Sequence, residues 1–170
     1  MYPTANTHWR CHATTIARAR YCRASASRLT VEIDTTIEET DSRGLMLAWQ
    51  SFNNTHIELF GRLPGAPWWN RPDISYERGA VPPEADGLTW CERAINSIAC
   101  AHHRIRFQTL GYVTQEVACH ETGHAVGLTH GPEAAPPVRP DDPALGCMTS
   151  WNTGRAYLGP HNVMTINANY

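Results

Sequence analysis

The stretch from His120 to His130 reads His-Glu-Thr-Gly-His-Ala-Val-Gly-Leu-Thr-His, and it decides how the rest of the chain is interpreted. It matches the pattern H-E-x-x-H-x-x-G-x-x-H at every specified position. Histidines four residues apart lie one turn above each other on the same face of a helix. The pattern therefore predicts a helix that directs two imidazoles, those of His120 and His124, to one point.

A third imidazole can reach the same point. Gly127 allows the helix to end and the chain to turn, because glycine readily takes the left-handed conformation found at helix C-termini. His130 then completes a set of three imidazoles, which binds a catalytic zinc ion and leaves one position open for water. The predicted metal ligands are His120, His124 and His130. Glu121 is the predicted catalytic residue, a general base for the activated water in amide hydrolysis.

Two other interpretations of this stretch remain open. Three histidines can simply be buried on a core helix. A zinc site can also exist without catalysis, in an inactive zinc-binding domain that acts as a protein-interaction module. Glu121 argues against the second alternative, because a purely structural zinc site does not need a base at that position.

With this motif the chain resembles the metzincins, which are zinc endopeptidases with a methionine turn downstream of the three histidines. The candidate turn is Gly146-Cys147-Met148-Thr149-Ser150. The resemblance implies that Met148 forms an apolar floor beneath the imidazoles without binding the metal. Among metzincins the segment from Val117 to Leu128 is most similar to matrixins, the matrix metalloproteinases and their small bacterial relatives.

The resemblance implies an α+β fold of the metzincin (zincin-like) type. Its expected parts are a twisted, mostly parallel, mixed five-stranded sheet with an active-site helix, a packing helix and a C-terminal helix. Residues 1–170 are expected to form a single metallopeptidase domain, with an irregular segment over about 1–15 and a small C-terminal part below the cleft over about 131–170. Leu88–Glu92 fits the antiparallel edge strand that holds the substrate as an added strand.

The resemblance also has departures. The last helix of matrixins carries an Asp pair that anchors it, whereas this chain has His161-Asn162. That aspartate anchoring is therefore not implied here. The Pro-Arg-Cys-Gly latency signature is absent, and the gap between His130 and Met148 is longer than in matrix metalloproteinases and rich in proline.

The remaining elements follow from periodicity and turn residues. Thr114 is the expected N-cap of the active-site helix, and Ser25–Val31 is ambiguous between a loop and a helical lead-in. Helices are also expected over Thr36–Trp49 and residues 160–168, and a proline-rich loop over 131–146. Strands are expected over Ala17–Cys22, His56–Phe60, Ile74–Tyr76, Leu88–Glu92 and Arg104–Gln108.

Six cysteines, an even number, favour disulfides and an oxidising compartment, although buried thiols in a cytosolic protein are the alternative. The expected pairs are Cys119–Cys147, Cys91–Cys100 and Cys11–Cys22. The first follows from the resemblance, since a methionine packed under the imidazoles brings the residues before His120 and Met148 together.

Composition limits the partners. A formal charge of −2 suggests neither nucleic acid nor an anionic membrane, and no apolar stretch is long enough for a membrane span. We expect a monomer that is secreted and acts on a protein or peptide, although no signal peptide is recognisable in the chain. One catalytic zinc is expected, and nothing in the sequence supports a structural calcium or a second zinc. Adjacent His102 and His103 point to opposite faces of a strand and are not expected to share an ion.

Three aromatic residues have more than one possible role. Trp68 and Trp69, in the loop from Leu63 to Pro72, could cap the core or bind substrate. Tyr157 could pack in the core or, as the resemblance to metzincins implies, flank the specificity pocket or assist the oxyanion.

Overall fold

Three α-helices and six β-strands form the part of the chain that the structure describes. This computed structural model describes residues 22–62, 70–96, 98–133, 137–150 and 153–170. The strands are β1 (Arg23–Ala24), β2 (Arg28–Ile33), β3 (Glu58–Arg62), β4 (Ile74–Arg78), β5 (Gly87–Ala94) and β6 (Ala99–Phe107). The helices are α1 (Glu39–Gln50), α2 (Gln115–Ala125) and α3 (Pro160–Asn167), with short 3-10 helices at Gly131–Glu133 and Pro143–Leu145. No helix among the described residues is long and apolar enough to cross a membrane.

The strands form one mixed sheet in the order β1-β6-β4-β2-β3, with β5 on the other side of β6. Strands β1, β6, β4, β2 and β3 pair in parallel, and β5 pairs with β6 in antiparallel orientation. The expected α+β class with a mostly parallel sheet is thus confirmed. Strand β5 lies at an edge of the sheet and packs against α2.

The structure corrects several expected boundaries. The expected sheet of five strands has six, because β4 pairs with β6 only from His103 onward and leaves Ala99 and Cys100 to pair with β1. Residues 28–31 of the segment Ser25–Val31 belong to strand β2, so neither a loop nor a helical lead-in describes them. Helix α1 begins at Glu39 rather than Thr36, since the Asp34 side chain accepts a hydrogen bond from the Thr36 amide in a turn. The expected strand over Ala17–Cys22 lies outside the described residues except for Cys22, which directly precedes β1. The irregular segment 1–15, Trp68 and Trp69 also lie outside the described residues.

A chain of hydroxyl groups attaches α2 to the sheet and to α1. Tyr76 of β4 is fully buried, and its hydroxyl accepts a hydrogen bond from Trp49 Nε1 (3.1 Å) and pairs with Thr122 Oγ1 (2.9 Å). Thr122 Oγ1 also lies 2.6 Å from the Ala118 carbonyl oxygen of its own helix. Burial raises the pKa of Tyr76 to about 12, so the phenol stays protonated. These hydrogen bonds fix the position of α2 relative to the sheet and to α1, and with it the position of the histidine motif.

A buried ion pair fixes the chain that leads into α2. Asp41 of α1 is 1% exposed; its Oδ1 accepts from the Val113 amide (2.9 Å) and its Oδ2 from Arg78 Nε (2.9 Å). Arg78 also donates to the carbonyl oxygens of Gln108 (2.7 Å) and Gly111 (2.8 Å). Removal of one partner leaves the other charge buried and unpaired, which is the costly outcome for such pairs.

We therefore expect Asp41→Asn to lower the free energy of unfolding by about 3 kcal/mol at neutral pH. Burial alone would raise the pKa of Asp41, but the Val113 amide and Arg78 outweigh it and lower the pKa below its usual value. The unfolded chain thus takes up this proton first, and the stability present above the ordinary aspartate pKa of about 3.9 is lost as the pH falls below it. Urea unfolding at several pH values checks this prediction. The free energy of unfolding of Asp41→Asn should not show the decrease at low pH that Asp41 causes in the wild type.

The matched control is Asp141→Asn, which breaks an exposed ion pair with Arg139. Its effect should stay below about 1 kcal/mol at every pH. Equal losses in the two variants would contradict the role assigned to Asp41.

Candidate metal centre

Helix α2 begins and ends as its sequence predicts. The Thr114 side chain caps its N-terminus by accepting a hydrogen bond from the Val117 amide (3.2 Å). At the other end Gly127 has φ 88°, in the left-handed region. The Leu128 amide donates to the Gly123 carbonyl and the Gly127 amide to the His124 carbonyl, both at 2.9 Å. These two bonds form a Schellman motif, which reverses the chain toward His130.

The three histidines come together as predicted. His120 Nε2 lies 3.0 Å from His124 Nε2 and 3.0 Å from His130 Nε2. Three nitrogens bound at about 2.0–2.1 Å to one tetrahedral ion would be roughly 3.3 Å apart. The cluster can therefore hold a metal ion. Among the described residues, no other group of three or more His, Cys, Asp or Glu side chains brings its ligand atoms this close together.

Two of the imidazoles, those of His124 and His130, are neutral, as metal ligands must be. Burial lowers the pKa of His124 well below its usual value, and the nearby His120 and His130 lower it further. Burial, with a smaller effect from His120, lowers the pKa of His130 to about 4. At neutral pH each of these two rings therefore has one unprotonated nitrogen, as a metal ligand requires.

Backbone carbonyls orient two of the rings. His120 Nδ1 lies 2.8 Å from the Cys147 carbonyl oxygen, and His124 Nδ1 lies 2.8 Å from that of Leu128. A hydrogen bond from Nδ1–H to a carbonyl sets the tautomer in which Nε2 is free to bind a metal. Both rings therefore present the correct nitrogen to the centre.

A disulfide ties this orienting carbonyl to the helix. Cys119 and Cys147 are bonded, with their Cα atoms 6.0 Å apart, and both are buried. The bond joins the residue before the first ligand to the residue whose carbonyl contacts that ligand. The predicted Cys91–Cys100 bond is also present, between β5 and β6. The third expected pair includes Cys11, which lies outside the described residues.

Met148 lies beneath α2 and is fully buried. A Cβ added at Gly123 would overlap the Met148 sulfur, so the missing side chain at Gly123 lets the methionine approach the helix directly before His124. Gly146, at φ 57°, makes the turn that precedes it, and a Cβ there would collide with the Tyr157 carbonyl. The two glycines explain how this turn fits under the helix.

Helix α3 is anchored in spite of the missing Asp pair. Asn162 is buried, and its Nδ2 donates to the carbonyl oxygen of Leu145 at 2.7 Å. The hydroxyl of Tyr170 lies 3.2 Å from the carbonyl oxygens of Ala24 and Val126. An amide can donate to a carbonyl where a carboxylate could not, so His161-Asn162 supports the methionine turn by a different hydrogen bond.

Glu121 lies beside the cluster and is 6% exposed. Its Oε2 is 2.6 Å from Thr89 Oγ1, a contact with β5 that the sequence did not predict. Burial raises the pKa of Glu121, while His120 and the Thr89 hydroxyl act in the opposite direction. No local sequence signal marks Thr89, since 32 positions separate it from Glu121.

A cavity of about 300 Å³ opens at the histidine cluster. Its walls come from β5 and the segment before it, from α2, and from the chain after Met148. They include Leu88 and Thr89 of β5, and Thr149 and Ser150 after Met148. The cavity is thus lined both by residues of the candidate metal centre and by residues of β5.

Other residues weighed from the sequence lie apart from the cluster. His102 Nδ1 contacts the Pro72 carbonyl oxygen and His103 Nε2 that of Cys22, so the two rings have separate partners. Tyr157 is 57% exposed, which excludes the packed role. Its ring does not line the cavity described above.

Comparisons with protein-family models and with curated proteins give no match to this chain, so its function is inferred from its own residues.

Proposed function

We propose that this chain is a zinc-dependent endopeptidase of the metzincin type, similar to the matrixins. The observation that carries the proposal is the convergence of three imidazole nitrogens beside a buried carboxylate at the edge of a sheet. Three ligands with a base next to them match a catalytic zinc site, whereas a structural zinc site has four protein ligands.

The donor set fits zinc. The Nε2 atoms of His124 and His130 lie 3.0 Å from that of His120 and need little movement to reach tetrahedral geometry. Carbonyl oxygens already hold Nδ1 of His120 and His124. A bound Zn²⁺ would lower the pKa of a water molecule to about 7 and polarise the substrate carbonyl.

Glu121 supplies the proton transfers. Its carboxylate accepts a proton from the attacking water on Oε1, because Oε2 is engaged by Thr89. The same group then donates that proton to the leaving amine nitrogen as the amide bond breaks. A buried carboxyl with a raised pKa is suited to both steps, since a base that works near its own pKa can also return the proton.

Strand β5 offers the substrate a place to bind. Among the described residues it pairs with β6 alone, and its residues Leu88 and Thr89 line the cavity. A peptide added there as a further strand would be held by backbone hydrogen bonds. Such binding needs no free terminus, and this favours an endopeptidase over an exopeptidase.

The arrangement around the site supports the metzincin type. An antiparallel edge strand lies next to the motif helix, and a buried methionine follows the third histidine. Two buried disulfides favour an oxidising compartment, and we infer that the protein acts outside the cytosol.

The test uses the full chain, purified under oxidising conditions. The zinc content per chain is measured by elemental mass spectrometry. We expect about one zinc ion per chain and cleavage of an unstructured protein, abolished by a chelator and restored by Zn²⁺. A chain that holds one zinc ion and cleaves nothing would instead favour the zinc-binding interaction module.

A further inference from the structure

The Thr89 hydroxyl has two acceptors on Glu121. Thr89 is 1% exposed, and its Oγ1 lies 2.6 Å from Glu121 Oε2 and 2.9 Å from the Glu121 carbonyl oxygen. Gly87 precedes it by two residues on the same face of β5. A Cβ at Gly87 would lie 2.7 Å from Glu121 Cγ and 2.9 Å from Oε1. The Thr89 hydroxyl and the bare backbone of Gly87 together form the surface of β5 against which the Glu121 side chain packs, and we call this surface the seat.

A threonine hydroxyl has one proton and can donate it to only one acceptor at a time. While Glu121 is ionised, the shorter, charge-assisted bond to Oε2 is favoured. The Glu121 carbonyl oxygen is the more distant and weaker of the two acceptors, so the hydroxyl holds Oε2 in place.

We propose, on the basis of the function proposed above, that Thr89 is a positioning residue that fixes the orientation of the Glu121 carboxyl group beside the histidine cluster. The terminal torsion of a glutamate is soft, so a group that fixes Oε2 also fixes where Oε1 points. Thr89 does not need to touch the substrate for this. Its loss should therefore lower kcat and leave KM and zinc affinity nearly unchanged.

The test compares Thr89→Val, which keeps the shape and removes the hydroxyl, with Thr89→Ser, which keeps the hydroxyl. We expect Thr89→Val to lower kcat by roughly 10–100-fold, the usual effect of losing such a supporting partner. Thr89→Ser should recover most of the wild-type kcat. A merely structural role would follow the shape of the side chain instead, so that valine would be tolerated better than serine.

Thr30→Val is the matched control. Thr30 lies on β2, and its hydroxyl also contacts a carboxylate, Asp73 Oδ2, at 2.7 Å. Its kcat should equal that of the wild type. A second variant, Gly87→Ala, perturbs the same seat without removing the hydroxyl, and should also lower kcat at unchanged zinc content because its Cβ displaces Oε1.

An active wild type with an equally active Thr89→Val variant would overturn this inference and leave the proposed function intact. Failure of Thr89→Ser to recover kcat, or loss of zinc in Thr89→Val, would overturn it as well. A zinc-loaded wild type that cleaves no peptide would overturn the proposed function itself, and the inference with it.

Discussion

Glu121→Gln is expected to lower kcat/KM for peptide cleavage by about 10²–10⁴-fold while the protein keeps its zinc. Glutamine has the size of glutamate and can still contact Thr89, but it cannot accept a proton from water at neutral pH. The substitution changes none of the three imidazoles. The carbonyl oxygens that orient the rings of His120 and His124 belong to Cys147 and Leu128. Metal content and catalysis should therefore separate in this variant.

The matched control for Glu121→Gln is Glu58→Gln. Glu58 lies on β3, where it forms an exposed ion pair with Arg28. Its cleavage rate should equal that of the wild type. Full activity in Glu121→Gln would contradict the role of Glu121 as base, and loss of zinc would indicate that its carboxylate contributes to metal binding.

Removal of the Cys119–Cys147 disulfide is expected to weaken both the fold and the metal site. The bond spans 28 residues, for which loss of chain entropy in the unfolded state gives about 3–4 kcal/mol. Without it the Cys147 carbonyl can move away from His120 Nδ1. We expect Cys119→Ala/Cys147→Ala to lose about 3–4 kcal/mol in urea unfolding and roughly 10–100-fold in zinc affinity.

The second disulfide offers a control of the same chemistry. Cys91–Cys100 spans 9 residues and joins β5 to β6, away from the imidazoles. Cys91→Ala/Cys100→Ala should cost about 2–3 kcal/mol and leave the Kd for zinc unchanged. Equal zinc affinities in the two double variants would contradict a special role for the Cys119–Cys147 bond.

The histidine motif could be predicted because its determinants are local. The N-cap Thr114, the helical spacing of His120 and His124, and the turn at Gly127 all act within a few residues of one another. The pairing of Cys119 with Cys147 could be predicted for a different reason. The resemblance implied that a methionine turn passes beneath the helix, which brings these two residues together.

The contacts with β5 could not be predicted, because they depend on tertiary packing. Thr89 and Glu121 are 32 residues apart in the sequence, and no pattern in either segment predicts the contact between them. Two strands were missed. Strand β1 has two residues and no periodicity to detect, and β2 begins in the segment for which the sequence left only a loop or a helical lead-in open. In α3 the change to His161-Asn162 suggested a lost anchor, whereas the Asn162 amide makes a different one.

The most direct measurement of the central claim is the rate of peptide cleavage as Zn²⁺ is added to the metal-free, disulfide-intact full chain. The His120, His124 and His130 cluster predicts no cleavage without metal and a rise that saturates at one zinc ion per chain. Cleavage by the metal-free chain, or saturation of the site with no cleavage, would contradict the account.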